Sequence, residues 1–153
     1  MHHIQAAEGW LGLGNPAEAA VELDRIKAEN CEHPAVLVIR CSVFYAAKNW
    51  QKVFEIAEAL TKVAPGDPFG WLNRSHALHF MGRTQEAWDG LLPMAPKFKR
   101  LYAVPYDLAC YAAVLGNLDT ARAWLDKALA VTNEPNKLKL HAHEDPDLKD
   151  LWK

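Results

Sequence analysis

Residues 106–129 read YDLACYAAVLGNLDTARAWLDKAL, and they contain two apolar patterns separated by Gly116 and Asn117. In each half, apolar side chains recur three and four positions apart, which is the spacing of one face of an α-helix. A glycine between two such patterns indicates a tight turn, because the chain there usually needs a positive φ. This stretch therefore predicts two helices joined by a short turn.

The same turn signal recurs along the chain at a fixed interval. Its positions lie 34 residues apart, at Gly14, Lys48, Gly82 and Gly116. Lys48 is the one of these four positions that is not a glycine. We expect the neighbouring Asn49 to take the left-handed conformation in that turn, because asparagine tolerates it better than most residues. Four turns in one register predict four helix pairs.

Small residues recur with the same period. One series contains Ala7, Cys41, Ser75 and Ala109, and a second contains Ala19, Val53, Ala87 and Ala121. Two helices approach closely only where side chains are small, so the two series predict one helix crossing that is used four times. Pro34 and Pro68 also lie 34 residues apart, and each suits the first turn of a helix.

The chain resembles the tetratricopeptide repeat (TPR) family, whose 34-residue unit is a pair of antiparallel helices. The resemblance rests on the first-helix pattern at Trp71, Ser75 and Leu78 and on the second-helix pattern at Ala121, Leu125 and Ala128. It implies an all-α fold, a right-handed α-solenoid of four helix pairs with a short C-terminal capping segment. The implied repeats are residues 1–33, 34–67, 68–101 and 102–135, followed by the cap at 136–153.

Two segments depart from the regular repeat. Pro93 and Pro96 lie where the second helix of the third repeat should continue. A proline removes an amide donor and clashes with the preceding turn, so we expect this helix to end or kink near Leu92. The tail after residue 135 contains Asp145-Pro-Asp-Leu148 and ends near Trp152, and we expect it to cover the last repeat, since terminal repeats need a cap.

The resemblance also implies a concave surface lined by the first helix of each pair. Its residues are Ile4, Glu8, Leu11, Val38, Ser42, Tyr45, Phe69, Leu72, His76, His79, Phe80, Tyr106 and Cys110. This aromatic surface with few charges suits an extended or helical peptide that is anchored by apolar side chains.

One subfamily function is excluded by the same alignment. TPR domains that bind the acidic tails of heat-shock chaperones use a carboxylate clamp of lysine, asparagine and arginine. The lysine position is Ile4 or Val38 here, and the asparagine position is Glu8 or Ser42. We therefore do not expect binding of chaperone tails.

Histidines offer the main alternative chemistry. His76 and His79 lie three residues apart on one predicted helix, so their imidazoles share a face. They are either polar residues that line the groove, which we favour, or a metal pair that lacks an obvious third ligand. The sequence His141-Ala-His143-Glu-Asp145 resembles a metallohydrolase motif, but that motif needs strand ends and further ligands.

Further catalytic motifs are missing from the sequence. It contains no nucleophile elbow and no phosphate-binding loop, and its cysteines at 31, 41 and 110 form no CxxC pair. We therefore predict no enzymatic activity, no metal and no cofactor.

Charge disfavours a nucleic acid as the partner, since the formal net charge is −2. Residues 68–101 nevertheless hold five basic and two acidic residues, with Lys97, Lys99 and Arg100 beside the two prolines. This basic segment is either a solvated loop, which is the commoner case, or an attractant for an acidic partner.

The leading hypothesis is an adaptor or scaffold that binds a protein or peptide ligand. The runner-up is a self-associating scaffold, such as a homodimer, that uses an apolar edge near Trp10 and Leu11 of the first repeat. A metal-dependent enzyme is a weak third. The longest aliphatic run, residues 35–39, is too short to span a membrane, and we expect a cytoplasmic protein with no membrane partner.

Overall fold

A computed structural model describes residues 2–153, and these residues form helices without a strand. The α-helices are α1 (His2–Gly12), α2 (Pro16–Asp24), α3 (Pro34–Ala46), α4 (Trp50–Val63), α5 (Pro68–Phe80), α6 (Thr84–Leu91), α7 (Ala103–Val114), α8 (Leu118–Val131) and α9 (Pro135–Glu144). Short 3-10 helices cover Ala28–Asn30, Leu92–Met94 and Pro146–Trp152. The prediction of an all-α fold is confirmed.

The chain divides into two compact units, Met1–Ala77 and Leu78–Lys153, which we call unit 1 and unit 2. Unit 1 contains α1 to α4 and most of α5. Unit 2 contains the end of α5, α6 to α9 and the C-terminal 3-10 helix. The repeat boundaries that follow from the 34-residue period stay a prediction.

Each unit buries the small residues that recur in the sequence. In unit 1, Ala7 and Ala19 belong to an apolar cluster that also contains Leu23, Ile39 and Val43. All eight positions of the two small-residue series are at most 2% exposed. Their burial explains why the sequence keeps them small, since a larger side chain would push the paired helices apart.

The four turns take the backbone conformation that the glycines predict. Gly14, Gly82 and Gly116 have φ values of 74°, 79° and 87°. In the second turn, the prediction that Asn49 takes the left-handed conformation was wrong. Lys48 itself has φ 55°, whereas Asn49 has φ −87°. Asn49 is instead the N-cap of α4, where its side chain accepts a hydrogen bond from the Lys52 amide at 3.3 Å, so its polar group is used for capping.

Because a lysine in the left-handed region carries a steric cost that glycine avoids, we expect Lys48→Gly to stabilise the protein by about 1 kcal/mol. Lys139→Gly, an exposed change inside α9, is the matched control and should cost up to about 1 kcal/mol. Urea unfolding of both variants measures these differences. Equal destabilisation by the two substitutions would contradict the assignment of strain to Lys48.

The expected helix end in the third pair is confirmed. Helix α6 ends at Leu91, and its Leu92 C-cap begins a 3-10 helix that contains Pro93. Helix α6 has 8 residues, whereas α4 and α8 have 14 each. The prolines therefore shorten the second helix of this pair by more than one turn.

The C-terminal residues pack onto the last helix pair in unit 2. The 3-10 helix Pro146–Trp152 contacts α7, α8 and α9. Four side chains of α9 and this 3-10 helix are buried: Leu138, Ala142, Leu148 and Leu151. They cover apolar surface of α7 and α8 that would otherwise face solvent. Among the described residues, no helix is both long and apolar enough to cross a membrane.

Candidate functional site

Two predicted groove residues of unit 1, Tyr45 and His76, form a compact group with Trp50, which the sequence does not predict as a groove residue. The ring of Tyr45, near the end of α3, meets the Trp50 ring edge-on with a centroid distance of 5.0 Å. The centroid of the His76 ring of α5 lies 6.1 Å from that of the Tyr45 ring, also edge-on. All three side chains are half-buried. We call these three residues the aromatic group.

The remaining predicted residues of α3 and α5 share a face with this group. Val38 and Ser42 precede Tyr45 by seven and three residues, so the three lie on one side of α3. The Ser42 hydroxyl donates to the Val38 carbonyl at 3.0 Å, which satisfies it within the helix. On α5, Leu72 is half-buried four residues before His76.

Phe69 lies on α5 three residues before Leu72 and is half-buried as well.

In α1, the predicted groove residues differ in their burial. Ile4 and Leu11 are partly buried against the apolar cluster of unit 1, whereas Glu8 is exposed. Among the predicted groove residues of unit 1, the partly accessible aromatic side chains therefore lie on α3 and α5.

In unit 2, His79 is held in a polar network rather than facing an open groove. Its Nε2 lies 2.9 Å from the Asp147 carboxylate, and its Nδ1 lies 2.9 Å from the Thr84 hydroxyl. The ring also packs against Tyr111, with centroids 5.1 Å apart. Its neighbour Phe80 is 53% exposed.

Tyr106 and Cys110 are covered by the C-terminal segment. The Tyr106 hydroxyl donates to Asp145 Oδ2 at 2.7 Å, and the Cys110 thiol donates to the same oxygen at 3.7 Å. Burial and the neighbouring carboxylate raise the pKa of both groups well above their ordinary values. Both side chains are at most 7% exposed, so they lie inside the unit, whereas the sequence places them on an open surface.

The other oxygen of Asp145 caps the C-terminal 3-10 helix. Asp145 Oδ1 accepts a hydrogen bond from the Asp147 amide at 3.0 Å. The two aspartates therefore connect α5, α7 and the tail through one network, whose members are His79, Thr84, Tyr106, Cys110, Asp145 and Asp147. We call it the C-terminal polar network.

This network also contains potential metal donors. Ligand atoms of Cys110, Asp145 and Asp147 all lie within 4.8 Å of one another. The hydrogen bonds described above already engage each of these side chains, which accounts for the arrangement without an ion. His76 and His79, the pair considered as the less favoured metal site, have different partners, since one contacts Tyr45 and the other Asp147.

Asp145 and Asp147 were missed as site residues by the sequence reasoning. The sequence offers no obvious third ligand beside His76 and His79, yet the structure places Asp147 against His79 across 68 residues of chain. The available signal was Asp145-Pro-Asp147, because an aspartate before a proline is typical of a helix N-cap. That signal predicts a helix start but not what the helix packs against.

The cysteines differ in their access to solvent. Cys41 and Cys110 are buried, whereas Cys31 is partly exposed. Burial raises the pKa of Cys41 to about 12, so only about one part in ten thousand of it is thiolate at pH 8. We expect iodoacetamide at pH 8 to alkylate Cys31 first and the other two only after unfolding, as measured by peptide mass spectrometry. Equal rates at all three sites would contradict the packing of α3 and α7.

Comparisons with known proteins agree with the fold. The sequence profile of the tetratricopeptide repeat family matches residues 1–25 and 106–127. A crystal structure of a thermophilic TPR protein from Thermus thermophilus is similar to this chain with a TM-score of 0.73 and 18% sequence identity. The similarity covers 99% of this chain and 87% of that one.

No curated protein matches the chain in sequence. The fold therefore rests on the helix pairs and on the structural match, and the resemblance to the tetratricopeptide repeat family rests on the 34-residue period and the profile match. Together these observations show an all-α, solenoid-like fold that is similar to that of tetratricopeptide repeat proteins.

Proposed function

We propose that the chain is a non-enzymatic adaptor that binds a peptide segment of another protein on the α3 and α5 face of unit 1. The TPR fold in general is that of a protein-interaction module, which supports binding as the task. The observation that carries the location is the aromatic group of Tyr45, Trp50 and His76.

The geometry of this group favours binding. Each ring is already held edge-on by a neighbour, so little side-chain freedom remains to be lost when a ligand docks. Half-buried aromatic side chains also offer a large apolar area together with a polar tip. Such residues supply most of the binding energy in protein interfaces.

The residue composition of the α3 and α5 face restricts the chemical class of the ligand. Val38, Ser42 and Leu72 extend the aromatic group and add no charge. The clamp residues for an acidic carboxyl terminus are replaced, as the sequence indicates. We therefore propose a peptide anchored by apolar or aromatic side chains, in an extended or helical conformation.

Truncation of the aromatic side chains tests this location. Peptides selected from a random phage-displayed library on the wild-type protein should bind Tyr45→Ala/His76→Ala about 30-fold more weakly, since loss of central aromatic contacts costs about 2 kcal/mol. Fluorescence anisotropy measures the change in Kd.

The matched control is Tyr102→Ala, which removes an exposed tyrosine in unit 2 and should leave the Kd within about twofold. Circular dichroism establishes that each variant is folded. Peptides that bind the Tyr45→Ala/His76→Ala variant as tightly as the wild type would refute the proposed location.

Self-association is the second proposal for unit 1. Trp10 is 37% exposed, Leu13 is 77% exposed and Val21 is 44% exposed, and these side chains favour an apolar contact with another copy. Light scattering at high concentration tests it, with Trp10→Gln as the variant that should reduce association. A strict monomer in the wild type would remove this proposal. The cytoplasmic location stays a prediction from the sequence.

A further inference from the structure

Unit 2 contains an apolar cavity of about 490 Å³ away from the polar network. This volume is within the range of roughly 300–1,000 Å³ that is usual for ligand sites. The cavity is lined by Leu92, Ala95, Pro96, Phe98, Lys99, Pro105, Trp124, Lys127, Ala130 and Val131.

The cavity exists because α6 is short. In the 34-residue register, residues 92–97 correspond to the last six residues of α4 and α8. Pro93 ends the helix there instead, and residues 95–100 continue as turns. As a result, Ala130 of α8 is exposed and Trp124 and Val131 are only partly buried.

The border of the cavity is basic. Lys99 and Lys127 both line it, and the Lys127 ammonium lies 4.1 Å from the centroid of the Trp124 ring. Lys97 and Arg100 flank Lys99 in the same turn segment. The described residues that line the cavity include two lysines and no carboxylate, so the lining itself favours an acidic ligand.

We propose that this cavity is a second interaction surface, which binds an acidic amphipathic helix of another protein in the place of the missing turns of α6. Apolar side chains of that helix enter the cavity against Trp124 and Val131. Its carboxylates face Lys99 and Lys127. The helix-in-groove mode fits because the cavity is apolar, has lysines at its border and lies beside the end of α6.

This surface is independent of the α3 and α5 face, which lies in unit 1 and carries no comparable group of lysines. It also gives the basic segment around Lys99 a role beyond that of a solvated loop. Charge complementarity selects the partner, and the apolar cavity supplies the anchor.

The probe for this surface is a fluorescein-labelled peptide of about 15 residues, long enough to form a helix when bound. It carries leucine and phenylalanine on one face and glutamate on the other, and its twin has lysine in place of glutamate. We expect the glutamate peptide to bind at least tenfold more tightly than its twin, with an affinity that falls as salt is added.

Two variants test the site itself. Lys99→Glu/Lys127→Glu should weaken binding of the glutamate peptide at least tenfold, and Ala130→Trp should do the same by filling the cavity from an exposed position. The matched control is Lys62→Glu/Lys139→Glu, which makes the same charge change at exposed lysines outside the cavity and should stay within twofold.

Three outcomes would overturn the proposal. They are equal loss in the cavity and control variants, no preference between the two peptides, and absence of binding. Direct titration with decanoate, followed by calorimetry, provides a separate outcome. If the wild type binds decanoate, Ala130→Trp abolishes that binding and the glutamate peptide does not bind, the cavity is a site for a small anionic amphiphile and not for a protein helix.

Discussion

Asp145→Ala should lower the free energy of unfolding by about 3 kcal/mol. The substitution removes the acceptor of the Tyr106 hydroxyl at 2.7 Å and the N-cap of the C-terminal 3-10 helix, which holds the Asp147 amide at 3.0 Å. A buried hydroxyl without a partner costs about 1–3 kcal/mol, and a lost cap costs about 0.5–2 kcal/mol. Urea unfolding followed by circular dichroism measures the sum.

The matched control for this prediction is Asp119→Ala, which removes a fully exposed carboxylate that pairs with Arg122. It should cost no more than about 1 kcal/mol, as is typical of surface ion pairs. Adding Tyr106→Phe to Asp145→Ala should recover about 1 kcal/mol, because the orphaned hydroxyl is then gone. If Asp145→Ala costs no more than its control, the C-terminal polar network does not hold the tail.

The second large effect is expected at Gly70 of α5, which packs against α4. A Cβ atom built at Gly70 would lie 3.0 Å from Leu60 Cβ, 3.0 Å from the Thr61 amide nitrogen and 3.2 Å from the Ala57 carbonyl oxygen. Two of these three neighbours are backbone atoms that yield only if the helices separate. We expect Gly70→Ala to destabilise unit 1 by about 2 kcal/mol, even after the helix-propensity gain of about 1 kcal/mol.

Gly9→Ala is the control for Gly70→Ala, since Gly9 also lies within a helix but has nothing within 4 Å of the added Cβ. The control should be neutral or stabilising by up to about 1 kcal/mol. Chemical unfolding of the two variants separates close packing from propensity. The same small effect at both glycines would contradict the tight α4–α5 contact.

The sequence predicts those features of the fold that repeat locally. The 34-residue spacing predicts the turns at Gly14, Gly82 and Gly116, and Pro93 predicts the end of α6, because each depends on a few neighbouring residues. The turn at Lys48 shows the limit of such reasoning. Residue preference alone favours Asn49 in the left-handed position, but the capping of α4 requires the Asn49 side chain and leaves that conformation to Lys48.

The candidate sites are less predictable, because they depend on contacts between distant residues. The resemblance to TPR repeats implies that Tyr106 and Cys110 line the groove, but Asp145 covers them from 39 and 35 residues away. Likewise, the sequence contains a glycine at position 70, but it does not reveal that this glycine packs against the backbone of α4. Periodicity determines which face of a helix a residue occupies, whereas the burial of that face depends on which segment packs against it.

The central claim is that a peptide binds the α3 and α5 face of unit 1. At 17.2 kDa, the protein is suited to amide chemical-shift mapping by nuclear magnetic resonance. A peptide selected on the wild-type protein is titrated into the ¹⁵N-labelled chain. We predict that the largest shifts fall on Val38, Ser42, Tyr45, Leu72 and His76, whereas largest shifts on the solvent-exposed residues of α4, or no shifts in unit 1, would contradict it.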